Sequence, residues 1–294
     1  MWTIKVPASS ANIGPGFDSL GMALKRYLSL IVEPSNEWKF NHVNTMIPTV
    51  RQYKDHYIYK VATKIAAWYQ CELPPCHVTM KSEIPLARGL GSSASAIVAA
   101  IEMVNQICEL QLSDDEKLAH AVRIEGHPDN VAPALFGGLL VTVQMNNQTS
   151  YKQIPNIDTD VVIYIPDFEL RTEDARNVLP QSFLRQDAAA ASSVSNLMIS
   201  ALMTGDYRLA GQMMESDLFH ESYRATLIPN YADIKSNARK LGAYGTVISG
   251  AGPTMISFVP DKEGPAIADS MQSLFPDYEV EAIGMDQHGL TINN

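Results

Sequence analysis

The pattern of apolar and polar positions predicts many strands and helices that do not alternate regularly. Strict alternation over 77–83 predicts a strand, and apolar residues spaced three and four apart over 53–69 predict a helix. Similar patterns predict strands at 2–7, 38–43, 137–143, 161–165, 246–248, 255–259 and 278–283, and two apolar stretches lie at 20–24 and 28–32. They predict helices from 92 to about 109, and at 114–124, 182–203, 207–214, 231–241 and from about 263. This irregular mixture favours α+β layers over a doubly wound sheet.

Polar residues mark where several of these elements begin and end. Ser113, followed three residues later by Glu116, predicts a capping box at the start of a helix. That helix is expected to stop at 126–128, and 129–133 to form a polar turn in apolar surroundings. The polar break at 146–150 predicts a domain boundary that divides the chain into 1–148 and 149–294.

Composition excludes several classes of function. The chain has 294 residues, of which 46% are hydrophobic and 18% charged, so it can bury a substantial core. A formal net charge of −10 argues against nonspecific binding to nucleic acid or to an anionic membrane surface. Three cysteines without a C-x-x-C pair suggest neither a disulfide framework nor a zinc site. The first residues alternate like a strand and lack a signal peptide's apolar core, so we expect a cytoplasmic protein.

The segment with the clearest chemical signal is 85–96, which reads P-L-A-R-G-L-G-S-S-A-S-A and leads into a predicted helix. Gly89 and Gly91 have no Cβ, so backbone N–H groups can approach an oxyanion closely there. The first N–H groups of a helix have no intrahelical acceptor, and the helix dipole adds partial positive charge. Ser92 or Ser93 can cap the helix or turn a hydroxyl toward a metal or phosphate. We therefore expect phosphate binding.

Three interpretations of this segment compete. The first is a tightly packed helix start that binds nothing. The second is a dinucleotide-binding loop, because Gly89, Gly91 and Ala94 fit G-x-G-x-x-A; Pro85, however, interrupts the strand that this fingerprint needs, and the acidic residues 114–116 are predicted to begin a helix. The third is a nucleoside-triphosphate site. The absence of G-K-[S/T] from the sequence excludes an ordinary P-loop.

Two further segments collect turn residues around polar side chains. The segment 9–18 contains Asn12 and Asp18, which an ordinary turn would use to bond its own backbone. A second glycine turn, S-G-A-G-P-T at 249–254, lies between two predicted strands.

These motifs together resemble those of a known family. S-x-A-N-I-G-P-G-F-D at 9–18, the segment 85–96 and S-G-A-G-P-T at 249–254 resemble the three signature motifs of the GHMP kinases. Within that family the chain is most similar to the homoserine kinases, through E-G-H-P-D-N-V-A-P-A at 125–134 and G-P-G-F-D-S-L-G-M-A-L at 14–24. The resemblance implies an N-terminal α/β nucleotide-binding domain, a C-terminal ferredoxin-like sandwich, and ATP and its acceptor in the cleft between them.

The resemblance also implies which residues hold the nucleotide and its metal. Mg²⁺ would be bound by Ser93 and by a helix carboxylate, for which Glu125 is the candidate; the alternative for Glu125 is a surface residue that ends a helix. The implied ATP-binding residues are Pro85, Leu86, Ala87, Arg88, Gly89, Leu90, Gly91, Ser92, Ser93, Ala94 and Ser95.

The implied acceptor is L-homoserine, whose phosphorylation is a step toward threonine. As a zwitterion it needs cations for its carboxylate, and arginine's fork suits a carboxylate better than lysine does. Arg176 and Arg224 occupy the matching positions, although each alone would be read as a solvated surface arginine. Asp18 and Asp129 could accept from the ammonium group.

The resemblance assigns the remaining site residues to the reacting hydroxyl and its surroundings. Asn12 and Asn130 could position the hydroxyl, His127 could support the site, and Gly250 belongs to the second glycine turn. Asn130, Asp129 and Asn12 are thus the candidate catalytic residues. The alternatives are another acceptor, such as mevalonate or a sugar, or a ligand sensor that has lost turnover. A homodimer is expected from the family's habit.

Overall fold

The computed structural model describes residues 1–44, 46, 50–155 and 157–293. The strands are β1 (Trp2–Asn12), β2 (Gly16–Pro34), β3 (Lys39–His42), β4 (Cys76–Ser82), β5 (Leu139–Met145), β6 (Gln148–Ile154), β7 (Thr159–Pro166), β8 (Gly245–Ile248), β9 (Met255–Pro260), β10 (Tyr278–Ile283) and β11 (Thr291–Asn293). The helices are α1 (Tyr57–Trp68), α2 (Ser92–Ile107), α3 (Asp114–Glu125), α4 (Pro128–Phe136), α5 (Thr172–Asn177), α6 (Arg185–Thr204), α7 (Tyr207–Met214), α8 (Glu221–Arg224), α9 (Tyr231–Lys240) and α10 (Gly264–Leu274).

The first sheet is built on the long antiparallel hairpin of β1 and β2. Its strands run in the order β11-β1-β2-β4-β3, with β5 paired to β2 and β6 paired to β5. Helices α2 and α4 pack on β1 and β2, and α1 and α3 pack against α2. The apolar faces of these elements form one buried core, which includes Ile4, Leu30 and Ile97.

The hairpin is longer than the sequence pattern predicts. The strand expected at 2–7 continues past Pro7 to Asn12, and the stretches at 20–24 and 28–32 belong to the single strand β2. A register shift between Pro7 and Ala8 accommodates the proline, since an irregular position does not require the N–H that proline lacks. The extension carries Asn12 to the end of the sheet.

The polar turn predicted at 129–133 is wrong, because these residues belong to α4. Pro128 takes the first turn of the helix, where its missing N–H costs little. Pro133 lies inside the helix and cannot donate to the carbonyl of Asp129. Gly21 of β2 lies against this carbonyl, and a Cβ at Gly21 would be 1.7 Å from its oxygen. The first turn of α4 is therefore seated directly on β2.

The second sheet has the order β10-β7-β9-β8 and is antiparallel. Numbered along the chain this is 4-1-3-2, with helices between the first and second strands and between the third and fourth, as in a ferredoxin-like sandwich. Helices α9 and α10 pack against this sheet. Helices thus pack on both sheets, as the expected α+β layers require.

The predicted boundary between residues 148 and 149 falls at the start of β6, which pairs with β5 in the first sheet. We propose to place the boundary after Ile154, between β6 and β7. The last strand, β11, returns to pair with β1. Among the described residues, no helix is both long and apolar enough to cross a membrane.

Most other elements lie close to their predicted positions. Strand β10 and helix α7 have the predicted bounds, and the capping box of Ser113 and Glu116 is confirmed at the start of α3. The helix predicted over 53–69 is divided into a short 3-10 turn at Tyr53–Asp55 and α1.

Candidate active site

Segments from distant parts of the chain line one cleft between the two sheets. They comprise the end of the β1–β2 hairpin, the glycine loop (residues 85–91), the start of α2, the α3–α4 junction, helices α5 and α8, and the glycine turn (residues 249–254). The lining residues are Ala11, Asn12, Asp18, Ala87, Arg88, Gly89, Leu90, Gly91, Ser92, Ser93, Glu125, His127, Asp129, Asn130, Thr172, Arg176, Arg224, Gly250 and Ala251. The structure thus brings most of the predicted site residues together.

Helix α2 opens toward this cleft without a side-chain cap. Its N-cap is Gly91, which has a φ of 67°, in the left-handed region that glycine favours. The first intrahelical bond runs from the N–H of Ser95 to the carbonyl of Gly91, at 2.9 Å. The amides of Ser92 and Ser93 precede that bond and have no helical acceptor, so they are available to an anion.

The glycine loop is held by hydrogen bonds to both sheets. The Ser249 hydroxyl donates to the carbonyl of Gly89 at 2.6 Å, and the Thr254 N–H donates to that of Arg88 at 3.3 Å. From the first sheet, the N–H of Ser9 donates to the carbonyl of Leu90 at 3.2 Å. The loop's conformation therefore depends on both halves of the chain.

Not every predicted ATP-binding side chain faces the cleft. Arg88 lines the cleft, but its guanidinium donates from Nε to the carbonyl of Pro166 and from Nη1 to that of Leu86, so these two groups are already paired. Ala94 and Ser95 are buried, and the Ser95 hydroxyl donates to the carbonyl of Pro7 at 2.8 Å. Leu86 lines a neighbouring pocket. Pro85 lines neither space.

Replacing Gly91 with alanine is expected to weaken nucleotide binding. A Cβ at this position would lie 2.0 Å from the Ser9 hydroxyl oxygen, and the backbone has a φ of +67°. The strain must shift the loop, so we expect the Kd of MgATP to rise roughly tenfold, or about 1.4 kcal/mol. Isothermal titration calorimetry measures this directly.

Gly205→Ala provides the matched control, because Gly205 also has a left-handed φ, of +76°, but has nothing within 4 Å of a Cβ. It ends helix α6, outside the cleft, so we expect a small loss of stability and an unchanged Kd. A folded Gly91→Ala variant with wild-type affinity would contradict the assignment of the loop to phosphate.

The two predicted metal ligands lie in contact. The Ser93 hydroxyl donates to the carboxylate of Glu125 at 2.9 Å and lies 3.2 Å from the Tyr57 hydroxyl. Glu125 is the last residue of α3, partly buried, and burial raises its pKa. It is therefore not the freely exposed helix end that was its alternative.

The start of α4 places a second set of polar groups in the cleft. Asp129 is 1% exposed, and one of its oxygens bonds Nδ1 of His127, the N-cap residue. Asn130 is next in the helix, and its side-chain oxygen accepts from the Ser9 hydroxyl at 2.9 Å. His127 thus contacts Asp129, and its supporting role in the site stays a prediction.

The charges around His127 predict a pH-dependent stability. Burial lowers the pKa of His127, but the bond to Asp129 and the charges of Glu125 and Asp18 outweigh it, so the pKa is raised above 6.5. A raised pKa stabilises the fold fully below 6.5 and stops doing so as the pH rises through the folded-state value. His127→Asn is therefore expected to lower the free energy of unfolding by urea more at about pH 6 than at about pH 9. An equal loss at both pH values would contradict this.

The predicted carboxylate-binding Arg176 is paired with Asp18. Its guanidinium bonds both oxygens of the carboxylate, at 2.7 and 3.3 Å, with both side chains about one third exposed. It also lies 5.7 Å from the centre of the Phe17 ring. Neither residue is a free surface charge; together they form one wall of the cleft.

Arg224 is almost fully buried, at 1% exposure. It donates to the carbonyls of Ala175 and Gly250 at 3.1 and 2.9 Å, and contacts Nδ1 of His220 at 3.3 Å. Burial, with the nearby charge of Arg176, lowers its pKa to about 10, so it remains charged at neutral pH. The interpretation of Arg224 as a solvated surface arginine is therefore wrong.

Asn12 connects the hairpin to the glycine turn. Its NH2 group donates to the carbonyl of Gly250 at 2.8 Å, and its oxygen accepts from the N–H of Asp18 at 3.0 Å. Both functional groups therefore hold the frame of the cleft, and its role toward the hydroxyl stays a prediction. Gly250 is joined to both Asn12 and Arg224 through its carbonyl.

A mostly apolar pocket adjoins the cleft at the start of α2. Ala87, Ser92, Ser93 and Thr172 line both spaces. The other residues that line the apolar pocket are Leu28, Val50, Asp55, His56, Tyr57, Ile58, Met80, Ser82, Ile84, Leu86, Ala96, Glu169 and Arg171.

The sequence assigned no role to several residues that shape the cleft. Ser9 and Phe17 lie within the first motif but contact Asn130 and the two arginines only in the fold. His220 precedes Arg224 by one helical turn and also bonds the carbonyl of Gly14, at 2.9 Å. Ser9 and Phe17 could have been identified from their places in the first motif. His220 could have been identified from its spacing from Arg224.

Comparison with known proteins agrees with this arrangement. The model of the GHMP kinase N-terminal domain matches residues 56–138, and that of the GHMP kinase C-terminal domain matches 198–277. The chain belongs to the GHMP kinase family. The three signature motifs lie in and around the cleft, and the predicted resemblance to the family is confirmed.

Relatives that match this GHMP kinase over nearly the whole of both chains carry the name homoserine kinase. One from Oceanobacillus iheyensis is 50% identical over 291 residues, 98% of each chain. One from Bacillus licheniformis is 45% identical and covers 99% of this chain and 95% of its own. The structure of homoserine kinase from Cytophaga hutchinsonii has a TM-score of 0.85 at 26% identity, over 99% of this chain and 96% of that one. The mevalonate kinase of L. major shares the fold, with a TM-score of 0.73 at 18% identity over 97% and 95%.

Proposed function

We propose that this GHMP kinase transfers the γ-phosphoryl group of ATP to the hydroxyl of L-homoserine, giving O-phospho-L-homoserine and ADP. The observation that carries the proposal is the cleft itself: uncapped amides of α2 share it with Asp129, Asn130 and two arginines. Such a site suits a polyphosphate on one side and a small zwitterion on the other. The reaction is a step toward threonine.

The nucleotide fits the glycine loop and its neighbouring pocket. The amides of Ser92 and Ser93 would bind phosphate oxygens, while Nε and Nη1 of Arg88 already donate to backbone carbonyls. The apolar pocket shares Ser92 and Ser93 with the cleft, so we propose that it receives the base of ATP.

Ser93 and Glu125 would hold Mg²⁺. Hydroxyl and carboxylate oxygens suit this hard cation, and their 2.9 Å contact places both at the phosphate side of the cleft. When bound, the ion would neutralise charge on the phosphates. Another group, Asp18, His127 and Asp129, has possible ligand atoms within 4.8 Å of one another. It fits Mg²⁺ less well, because Asp18 is bonded to Arg176 and His127 to Asp129.

The two charges of the acceptor are complementary to the charged side chains on the opposite wall of the cleft. The carboxylate of L-homoserine would bind Arg176 and Arg224, and its ammonium group would bind Asp18 and Asp129. The existing pair of Arg176 and Asp18 would then open to include both charges of the zwitterion. A neutral sugar offers no partner for these charges.

Asn130 would hold the acceptor hydroxyl in line with the γ-phosphorus. Phosphoryl transfer passes through a loose transition state in which charge spreads over oxygens, so positioning and electrostatics supply most of the catalysis. A strong general base is not required. Asp129 would accept a hydrogen bond from the ammonium group.

ADP release from MgATP by the purified protein tests the proposal. Parallel reactions contain L-homoserine, mevalonate, galactose or no acceptor. We expect turnover with L-homoserine alone. Turnover with another acceptor would change the substrate, and tight ATP binding without any turnover would indicate a sensor instead. The homodimer and the cytoplasmic location stay predictions.

A further inference from the structure

Ser9 of β1 makes a partly buried hydrogen bond to the proposed hydroxyl-binding residue. It is fully buried, and its hydroxyl donates to the side-chain oxygen of Asn130 at 2.9 Å. The two residues are 121 positions apart, so the bond joins the first strand to the start of α4. A hydrogen bond from a fully buried residue to a residue in the cleft restricts how the second residue can turn.

Ser9 also contacts the glycine loop. Its N–H donates to the carbonyl of Leu90 at 3.2 Å, and its hydroxyl oxygen would lie 2.0 Å from a Cβ at Gly91. Ser9 therefore fills the space between the phosphate side of the cleft and Asn130.

The bond also fixes which end of the Asn130 amide faces the acceptor. An asparagine side chain has one acceptor oxygen and one donor NH2 group. Since the oxygen accepts from Ser9, the NH2 group remains for the cleft. Asn130 can then donate to the acceptor oxygen, where negative charge develops as phosphoryl transfer proceeds.

We propose that Ser9 is a positioning residue for phosphoryl transfer, which holds the Asn130 amide with its NH2 group toward the acceptor hydroxyl. The proposal rests on the proposed function, because it assumes that Asn130 acts on that hydroxyl. Ser9 itself touches neither substrate nor nucleotide in this assignment.

Steady-state kinetics of Ser9→Ala, Ser257→Ala, Asn130→Ala and the Ser9→Ala/Asn130→Ala double variant test it. Ser257 of β9 is the matched control: it is also a fully buried strand serine, but its hydroxyl bonds Tyr164 and Thr246, outside the cleft. We expect Ser9→Ala to lower kcat about tenfold with both KM values within about twofold, and Ser257→Ala to leave kcat within about twofold. In the Asn130→Ala background, Ser9→Ala should have no further effect on kcat.

A wild-type kcat in Ser9→Ala would overturn the proposal, as would an equal loss in the Asn130→Ala background, which would indicate a merely structural role.

A second measurement does not depend on turnover. It follows the side-chain NH2 signals of Asn130 by NMR, in protein labelled with [15N]asparagine, with the signals assigned by comparison with Asn130→Ala. We expect Ser9→Ala to shift or broaden this pair, and Ser257→Ala to leave it unchanged. An unchanged pair in Ser9→Ala overturns the proposal even if the wild type lacks homoserine turnover, a result that would separately overturn the proposed function. If Ser9→Ala does not fold, Ser9→Cys, which keeps a weak donor, is measured in the same way.

Discussion

Replacing Asn130 with alanine is expected to lower kcat with L-homoserine about 10³-fold while the Kd of MgATP stays within about twofold. The substitution removes the NH2 group that would face the reacting hydroxyl, leaving the glycine loop and its contacts with Ser249 and Thr254 in place. A loss confined to kcat identifies an interaction made in the transition state. Single-turnover kinetics with pre-bound MgATP separate the chemical step from product release.

Asn130→Asp is the control for shape. It keeps the size of the side chain and an oxygen for Ser9 but replaces the NH2 donor with a carboxylate oxygen, so we expect a loss at least as large as that of Asn130→Ala. A kcat within about threefold of wild type for Asn130→Ala, a change of under 1 kcal/mol, would remove Asn130 from the chemistry.

Replacing Arg176 with alanine is expected to lower kcat/KM for L-homoserine roughly 200-fold, or about 3 kcal/mol. The variant loses a charge-assisted fork for the carboxylate and leaves Asp18 without its partner. Arg176→Lys keeps the charge but not the fork, so it is expected to recover only part of the activity. The measurement is the concentration dependence of ADP release.

Two simpler acceptors separate recognition of the carboxylate from other effects. 3-Amino-1-propanol lacks the carboxylate of homoserine, and we expect Arg176→Ala and wild type to phosphorylate it with similar kcat/KM. 4-Hydroxybutyrate keeps the carboxylate and should show the loss. Arg185→Ala, which removes an exposed arginine at the start of α6, controls for net charge. Equal losses with both acceptors would contradict a specific role in binding the carboxylate.

How well the sequence predicted the fold depended on whether each element carries its own pattern. Helix α7 and strand β10 show clear periodicity and were placed correctly. Helix α4 was missed because Pro128 and Pro133 normally indicate a turn, and its burial against β2 outweighs that local preference. Strand β6 has mostly exposed residues, so its pairing with β5 decides its conformation.

The same distinction applies to the cleft. Gly89, Gly91 and the glycine turn could be identified from the sequence, because their left-handed backbone conformation favours glycine at these positions. The direction of the Arg88 guanidinium and the bond between Ser9 and Asn130 depend on residues 78 and 121 positions away, which no local pattern records. The resemblance to a family located the side chains, and only the fold shows which of them are already paired.

Through the hydrogen bonds that attach the glycine loop to both halves of the chain, a nucleotide bound at this loop, as proposed, would stabilise both halves. A ligand present at 100 times its Kd adds about 2.7 kcal/mol to the free energy of unfolding. Because Ser249 and Thr254 lie in the turn between β8 and β9 and bond the loop, part of this protection would extend to these two strands. Slower deuterium uptake in β8 and β9 on adding MgATP would be its signature, and the melting temperature would then report occupancy of the site for the whole chain.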